Sequence, residues 1–255
     1  MKYCRHVTGL CAAGLLTVSG AAAASDYRPI TLGSASVIGD GETELFGQAA
    51  YGWGHESAGR AGLPAGEYDN LRLGPLGFRS GHMNEMEFGA YFAFANNSAD
   101  DTGAPDESGL EGITGFGKLQ LNDFFALELG ARAGGADDIA PYPNGGLDFY
   151  VNLPMQRPLM DGLLYGEIGY TIHDDDVGGT YVNWGIGYAH PMDTGTNLNF
   201  ELRGDDSPGA GSNQMDLILG AGLDLDPIHL RPYVGLGLYD ASADLSVGVG
   251  ASMPL

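Results

Sequence analysis

The chain has 255 residues, 43 of them glycine, and a formal net charge of −22, with 11 Lys and Arg against 33 Asp and Glu. This balance excludes nucleic acid as a partner, because phosphate backbones are bound through Lys and Arg. No run of 18 apolar residues follows the N-terminal leader, so we expect no membrane-spanning helix.

Residues 1–24 have the pattern of a cleaved secretory signal peptide. Two basic residues precede a mostly apolar stretch at 7–20, and Ala22 to Ala24 fits the small-x-small rule for cleavage before Ser25. The alternative is an uncleaved N-terminal membrane anchor. The short apolar stretch, ending in small residues, favours cleavage and export.

Residues 25–43 separate the leader from the first clear strand. Residues 29–38 could form a further strand, but we favour a periplasmic N-terminal arm. The predicted organisation is therefore a signal peptide at 1–24, a periplasmic arm at 25–43 and a transmembrane β-barrel at 44–255.

The mature chain is dominated by apolar residues at every second position. In 125–133, Phe125, Leu127 and Leu129 alternate with Glu128 and Arg132. Such alternation is typical of a strand with one apolar and one polar face. The same pattern predicts twelve strands, at 44–54, 69–79, 84–96, 110–121, 123–134, 145–153, 162–172, 179–190, 195–204, 213–225, 228–239 and 244–254. The weakest is 69–79, because Pro75 removes a backbone donor from its middle.

The predicted connections alternate between long and short. The long ones, at 55–68, 97–109, 135–144, 173–178, 205–212 and 240–243, hold fourteen Asp and Glu against one basic residue, Arg60. Long external loops and short periplasmic turns are typical of outer-membrane barrels. An even strand number places both termini in the periplasm.

These features predict an all-β fold, a closed antiparallel up-and-down transmembrane β-barrel of about 12 strands. A soluble sandwich also alternates, but aromatic residues gather near the strand ends here, as in interfacial girdles: Tyr51, Trp53, Phe124, Phe125, Tyr188, Tyr233 and Tyr239. The chain resembles bacterial outer-membrane β-barrel proteins of the porin-like class. The resemblance implies recognition of the last strand by the barrel-assembly machinery, although Pro254-Leu255 stands where an aromatic residue usually ends that signal.

The polar faces of the strands carry charges of both signs. We expect ten of them to face the lumen: Glu44, Glu87, Lys118, Glu128, Arg132, Asp148, Glu167, Arg203, Asp216 and Arg231. Charged rings confer ion selectivity in pores. The alternative is a salt-bridged plug that closes a narrow barrel.

The acidic clusters in the predicted loops are candidate cation-binding sites. Asp174-Asp175-Asp176 is the best candidate for oxygen ligands to Ca²⁺ or Mg²⁺, but no calcium-loop spacing accompanies it. We interpret the clusters as solvated surface charge, able to contact lipopolysaccharide through divalent ions, and predict no dedicated metal site and no cofactor.

His55 and Ser57 are candidates for a catalytic base and nucleophile of a hydrolase. Their spacing resembles that of outer-membrane phospholipase A, a twelve-stranded barrel whose catalytic His and Ser lie two residues apart on one strand. The resemblance implies a lipid hydrolase, but no surrounding motif and no Asn to orient the imidazole can be identified. We therefore predict no catalytic residue.

The resulting expectation is a small porin-like passive channel with cation preference in the bacterial outer membrane. Its partners would be outer-membrane lipids, lipopolysaccharide, the assembly machinery and small solutes or ions. The alternative is a non-conducting surface barrel with an envelope-structural or binding role.

Overall fold

The computed structural model describes residues 29–60, 63–100, 107–134, 146–172, 180–192, 195–206, 214–239 and 242–255. In this part of the chain there are twelve strands: β1 (Thr43–Arg60), β2 (Leu63–His82), β3 (Met86–Asp100), β4 (Glu107–Asn122), β5 (Phe125–Ala133), β6 (Leu147–Leu159), β7 (Gly162–Ile172), β8 (Thr180–Pro191), β9 (Thr196–Asp205), β10 (Gln214–Leu225), β11 (Ile228–Gly237) and β12 (Leu245–Pro254). Each strand follows a stretch of alternating sequence.

The strands form one closed antiparallel barrel in which each pairs with its neighbours in the chain. Closure comes from β1 and β12, which pair from Glu44–Pro254 to Trp53–Leu245. The Leu255 N–H also donates to the Thr43 carbonyl oxygen at 2.9 Å. The twelve-stranded antiparallel barrel predicted from the sequence is therefore confirmed. Closure leaves no open sheet edge, which is the condition for strands to cross hydrocarbon.

The outer face of the barrel is apolar and exposed. Ile113, Leu129, Phe149 and Ile186 have exposed fractions of 58%, 54%, 51% and 51%. A water-soluble surface does not expose a continuous belt of large aliphatic and aromatic side chains, whereas a lipid-facing wall does. Within the described ranges, no helix has the length and hydropathy needed to cross a membrane.

Pro75 lies in a bulge of β2, and this explains how the strand tolerates it. The register between β2 and β3 shifts between Leu73 and Leu76, so Gly74 and Pro75 stand outside the ladder. Gly74 has a φ of +136°, and a Cβ there would lie 2.5 Å from the Ala93 Cα. The missing N–H of Pro75 therefore falls where the ladder is already interrupted.

The strands that flank the first two long connections are longer than predicted. β1 and β2 stay paired out to Arg60 and Leu63, so most of the expected loop 55–68 is a hairpin. β3 and β4 likewise extend into the expected loop 97–109. Both faces can be polar beyond the membrane, so pairing continues where the apolar alternation has ended.

The short connections lie together at the opposite end, which we call the short-turn end. They are turns at 83–85, 123–124, 160–161 and 226–227. The other long connections fall mainly outside the described residues, and so do Asp174, Asp175 and Asp176.

One predicted girdle residue is placed wrongly by the sequence. Tyr233 lies on the inner face, 8% exposed, and accepts a hydrogen bond from Gln48 Nε2 at 2.7 Å. Trp53, Phe124, Phe125 and Tyr239 are exposed, as the girdle requires. Tyr233 alternates with the exposed Val234, so strand parity rather than proximity to the strand end decides where it points.

Candidate functional site

The inner face of the barrel holds a chain of buried ion pairs near the short-turn end. Arg79 bridges Glu44, at 2.9 Å, and Glu87, at 3.6 Å. Lys118 contacts the same Glu87 at 3.1 Å. Glu44, Glu87 and Lys118 are all nearly inaccessible to water. Charges taken out of water need partners of opposite sign, and here cross-strand neighbours on β1, β2, β3 and β4 supply them.

Three further pairs line the interior at other levels. Arg132 pairs with Asp148, Arg203 contacts Asp216 at 3.1 Å, and Arg72 contacts Glu111 at 2.8 Å. Each pair joins adjacent strands except Arg72–Glu111, which spans β2 and β4. These ion pairs cross-link the inner wall, and most of its charged side chains have a partner of opposite charge.

The remaining three of the ten predicted lumen charges have other interior contacts. Glu128 accepts a hydrogen bond from the Tyr150 hydroxyl at 3.1 Å, and Glu167 accepts one from the Gly33 N–H at 2.7 Å. Arg231 Nη1 donates to the Pro29 carbonyl oxygen at 3.4 Å. All ten residues therefore have a contact on the inner side of the wall. That they act on a permeating ion stays a prediction.

The N-terminal residues 29–39 lie inside the barrel, and we call them the inner segment. They cross the interior from Glu87 on β3, which accepts from the Ile38 N–H at 3.1 Å, to Glu201 on β9. Backbone pairing with the sheet begins after the segment, with an isolated bridge between Asp40 and Gly81. The described residues of the segment belong to none of the twelve strands. That residues 25–43 form a periplasmic arm stays a prediction, and the described residues 29–39 lie against the inner face of the wall.

Glu201 is the main anchor of the inner segment. Its carboxylate accepts from the Ile30 N–H at 2.6 Å, the Thr31 N–H at 3.1 Å and the Thr31 hydroxyl at 2.5 Å. The Tyr165 hydroxyl also donates to it, at 2.8 Å. Glu201 is 1% exposed, so these donors replace the water that a carboxylate needs.

Apolar contacts hold the same stretch. Ile30 packs with Ile218 and Tyr233, and Leu32 with Tyr165 and Leu163. Glycines make room for both side chains, because a Cβ at residue 185 would overlap Leu32 and one at residue 220 would lie 2.8 Å from Ile30 Cδ1. A middle contact comes from Gln156, whose Nε2 donates to the Ser36 hydroxyl at 2.8 Å.

Sequence reasoning missed Glu201 as a site residue and did not predict that residues 29–39 contact the inner face of the wall. One signal was available: residues 29–39 contain no charged side chain, although the protein is strongly acidic. An arm in water has no reason to lack charge, whereas a segment packed inside a wall does. Nothing in the alternation around Glu201 distinguishes it from the other inner carboxylates.

A second group of inner residues is aromatic and lies away from the segment. Phe46, Tyr91 and Phe116 follow one another across β1, β3 and β4 with ring centroids 6.2 Å apart at each step. Tyr150 continues the row on β6, and its ring lies over Gly130. The glycine allows the ring to lie against the wall instead of projecting across the interior.

The proposed hydrolytic residues lie at the far end of β1. His55 pairs with Tyr68 and Ser57 with Gly66 in the β1–β2 ladder, beyond the last β1–β12 pair. The Ser57 side chain lies outside the described part, so the His–Ser pair stays a hypothesis. In the described residues, no group of three or more His, Cys, Asp and Glu side chains is placed to hold a metal ion.

Comparison with known structures places the fold among outer-membrane barrels. The COG4313 outer membrane channel from Pseudomonas putida F1 matches 89% of this chain over 100% of its own, with a TM-score of 0.65 and 11% identity. The beta domain of the Bordetella autotransporter Brka matches 83% of this chain over 99% of its own, with a TM-score of 0.55 and 12% identity. The translocator domain of the autotransporter NalP from Neisseria meningitidis matches 83% over 88%, with a TM-score of 0.52 and 12% identity.

No family model and no curated protein matches the sequence. At these identities the likeness concerns the backbone alone. The closed wall, the exposed apolar belt and the structural matches together give this chain the fold of a twelve-stranded outer-membrane β-barrel.

Proposed function

We propose that the protein is a passive channel of the bacterial outer membrane that conducts small solutes and prefers cations. The proposal includes export through the signal peptide at 1–24, insertion by the barrel-assembly machinery, and contact with lipopolysaccharide through the acidic outer loops. It includes no catalytic activity. The structural similarity to the Pseudomonas putida outer membrane channel supports it.

The observation that carries the cation preference is a surplus of carboxylates on the inner face. Glu128, Glu167 and Glu201 accept hydrogen bonds from hydroxyl or backbone N–H groups, and no salt bridge of the described residues includes them. A low-dielectric wall that carries more negative than positive charge concentrates cations in the space it encloses. The acidic long connections add negative charge at the other end of the path.

The test is a planar-bilayer recording of the refolded barrel across a KCl gradient. We expect discrete conductance steps and a zero-current potential of the sign set by K⁺. Mock-refolded detergent without protein serves as the control. A zero-current potential of the sign set by Cl⁻ contradicts the cation preference. The absence of any current after verified insertion contradicts the proposal of a channel.

A second candidate, a non-conducting barrel with an envelope-structural or binding role, is favoured by one observation. The inner segment occupies part of the interior and is fixed at three carboxylates, Glu87, Glu167 and Glu201. Removing the segment separates the two candidates. A channel conducts with the segment in place, whereas a sealed barrel conducts only after the segment is deleted.

A further inference from the structure

We propose that the inner wall around Glu128 is a binding site for organic cations, that is, an ammonium group joined to an apolar or aromatic body. The Glu128 carboxylate supplies the charge, and the rings of Phe116, Tyr91 and Tyr150 supply the apolar surface. The inference rests on the proposed function in one respect, since such a ligand reaches the site through the channel.

Glu128 forms no salt bridge within the described residues. Lys118 faces it directly across the β4–β5 ladder, but the Lys118 ammonium is paired with Glu87. Arg132, four residues further along β5, is paired with Asp148. Glu128 instead accepts from Tyr150, a neutral donor. A carboxylate on a wall of low dielectric constant, without a basic partner, attracts a cation more strongly than one in water.

Contacts with the inner segment separate Glu128 from the other two carboxylates that form no salt bridge within the described residues. Glu201 is 1% exposed and is saturated by the inner segment and Tyr165. Glu167 is capped by the Gly33 N–H. Glu128 is partly exposed, and no hydrogen bond from the described residues of the inner segment reaches it. Of the three, it is the partly exposed carboxylate that the described part of the inner segment leaves free for a ligand in the lumen.

Aromatic rings border the carboxylate on both sides. Phe116 faces Gly130 across the ladder and is therefore a diagonal neighbour of Glu128. Tyr91 lies beyond Phe116 with a centroid distance of 6.2 Å, and Tyr150 contacts Glu128 from β6. Phe116, Tyr91 and Tyr150 are all partly exposed on the inner face.

This combination suits an organic cation better than a metal ion. Ca²⁺ and Mg²⁺ require about six oxygen ligands, whereas one carboxylate and one hydroxyl are present here. An ammonium group needs a single negative partner and gains further attraction from ring faces. An apolar body attached to it would lie against Phe116 and Tyr91, where an inorganic ion gains nothing.

The test uses benzylammonium as the probe, in two measurements on the full-length barrel. In the first, benzylammonium is added to a K⁺ current in planar bilayers. In the second, its binding to the detergent-solubilised barrel is measured by titration calorimetry. We expect benzylammonium to bind the wild type and to block its K⁺ current reversibly. Its affinity should be at least tenfold lower in Glu128→Gln and several-fold lower in Phe116→Leu. Benzyl alcohol, the neutral analogue, should do neither.

The matched control is Asp216→Asn, which removes the same charge from β10, where Asp216 is paired with Arg203. It should bind benzylammonium as the wild type does. Equal affinity in Glu128→Gln, or equal loss in Asp216→Asn, overturns the site. Phe116→Leu keeps the inference testable if Glu128→Gln does not fold.

The two measurements separate this inference from the proposed function. Cation-selective conductance without benzylammonium binding refutes the site and leaves the channel standing. Binding that depends on Glu128 without any conductance refutes the channel and supports the site. If both are absent, both proposals fail.

Discussion

The two sides of the interior differ in what covers them. On the side that we call the covered wall, Tyr165, Glu167, Glu201, Ile218 and Tyr233 hold the inner segment. On the side that we call the open wall, Tyr91, Phe116, Glu128 and Tyr150 form no hydrogen bond with the described part of that segment.

Similar residue types therefore have different roles on the two walls. Glu201, beside Tyr165, anchors the inner segment, whereas Glu128, beside Tyr150, forms no hydrogen bond with the described part of that segment. The difference teaches that the chemistry of an inner wall does not by itself specify a pore or a plug. What decides is whether another part of the chain satisfies its hydrogen bonds.

The largest expected effect is on conductance, from deletion of residues 29–38. The deletion uncovers the covered wall, so we expect single-channel conductance to rise several-fold and cation preference to increase as Glu167 and Glu201 become accessible. Bilayer recordings of the deletion and the wild type measure both quantities. Heat-modifiable gel migration checks that the barrel has inserted. An unchanged conductance would mean that the segment does not narrow the path.

Glu201→Ala tests whether the covered wall depends on its central carboxylate. The change leaves the Ile30 and Thr31 N–H groups, the Thr31 hydroxyl and the Tyr165 hydroxyl without their acceptor. Each buried donor left unsatisfied costs roughly 1–3 kcal/mol, so with four donors we expect the free energy of unfolding to fall by at least about 4 kcal/mol.

The control for Glu201→Ala is Glu167→Ala, which removes the acceptor of a single backbone donor, the Gly33 N–H. We expect it to lower the free energy of unfolding by about 1 kcal/mol. Urea unfolding in phospholipid vesicles, followed by tryptophan fluorescence, measures both variants. Equal losses would contradict the assignment of Glu201 as the main anchor.

Lys118→Met tests what stabilises the open wall. There the buried pair of Lys118 with Glu87 links β4 to β3. Removing one partner of a buried ion pair lowers the free energy of unfolding by roughly 3 kcal/mol. We expect a smaller loss in Lys118→Met, because Glu87 keeps its second contact, with Arg79.

The comparison variant for Lys118→Met is Arg203→Met. Its side chain is 41% exposed, so solvent screens its pair with Asp216 and we expect a loss below about 1 kcal/mol in the same unfolding assay. A larger loss in Arg203→Met than in Lys118→Met would contradict this ranking of the two pairs.

The smallest expected effects come from adding one methyl group to each wall. In Gly185→Ala the new Cβ overlaps Leu32 of the inner segment, and in Gly130→Ala it overlaps the Tyr150 ring. Overpacking costs roughly 1–3 kcal/mol. We expect Gly185→Ala to raise conductance by loosening the segment, and Gly130→Ala to lower it by pushing the ring inward.

Gly115→Ala is the control for both methyl additions, because a Cβ there meets nothing within 4 Å. It should leave conductance unchanged in the same bilayer assay. Changes of the same sign in Gly185→Ala and Gly130→Ala would remove the distinction between the covered and the open wall.

The sequence alone was sufficient to predict the wall. Period-two alternation reports which side chains face lipid, because successive residues of a strand point to opposite sides. All twelve strands were therefore predicted, and Leu129 and Phe149 lie on the exposed face that the pattern implies. The same parity, applied strictly, would also have placed Tyr233 inside.

What only the tertiary structure decided is how the interior is used. The inner segment is held by backbone N–H groups that donate to Glu201 and Glu167, and a backbone donor leaves no mark in the sequence. The partners lie more than 130 positions apart, so no local pattern links them. The pairing of Lys118 with Glu87, which leaves Glu128 uncompensated, likewise depends on which carboxylate lies closer in the folded barrel. Alternation separates inside from outside, but distances between strands decide which inner charges are neutralised and which remain accessible.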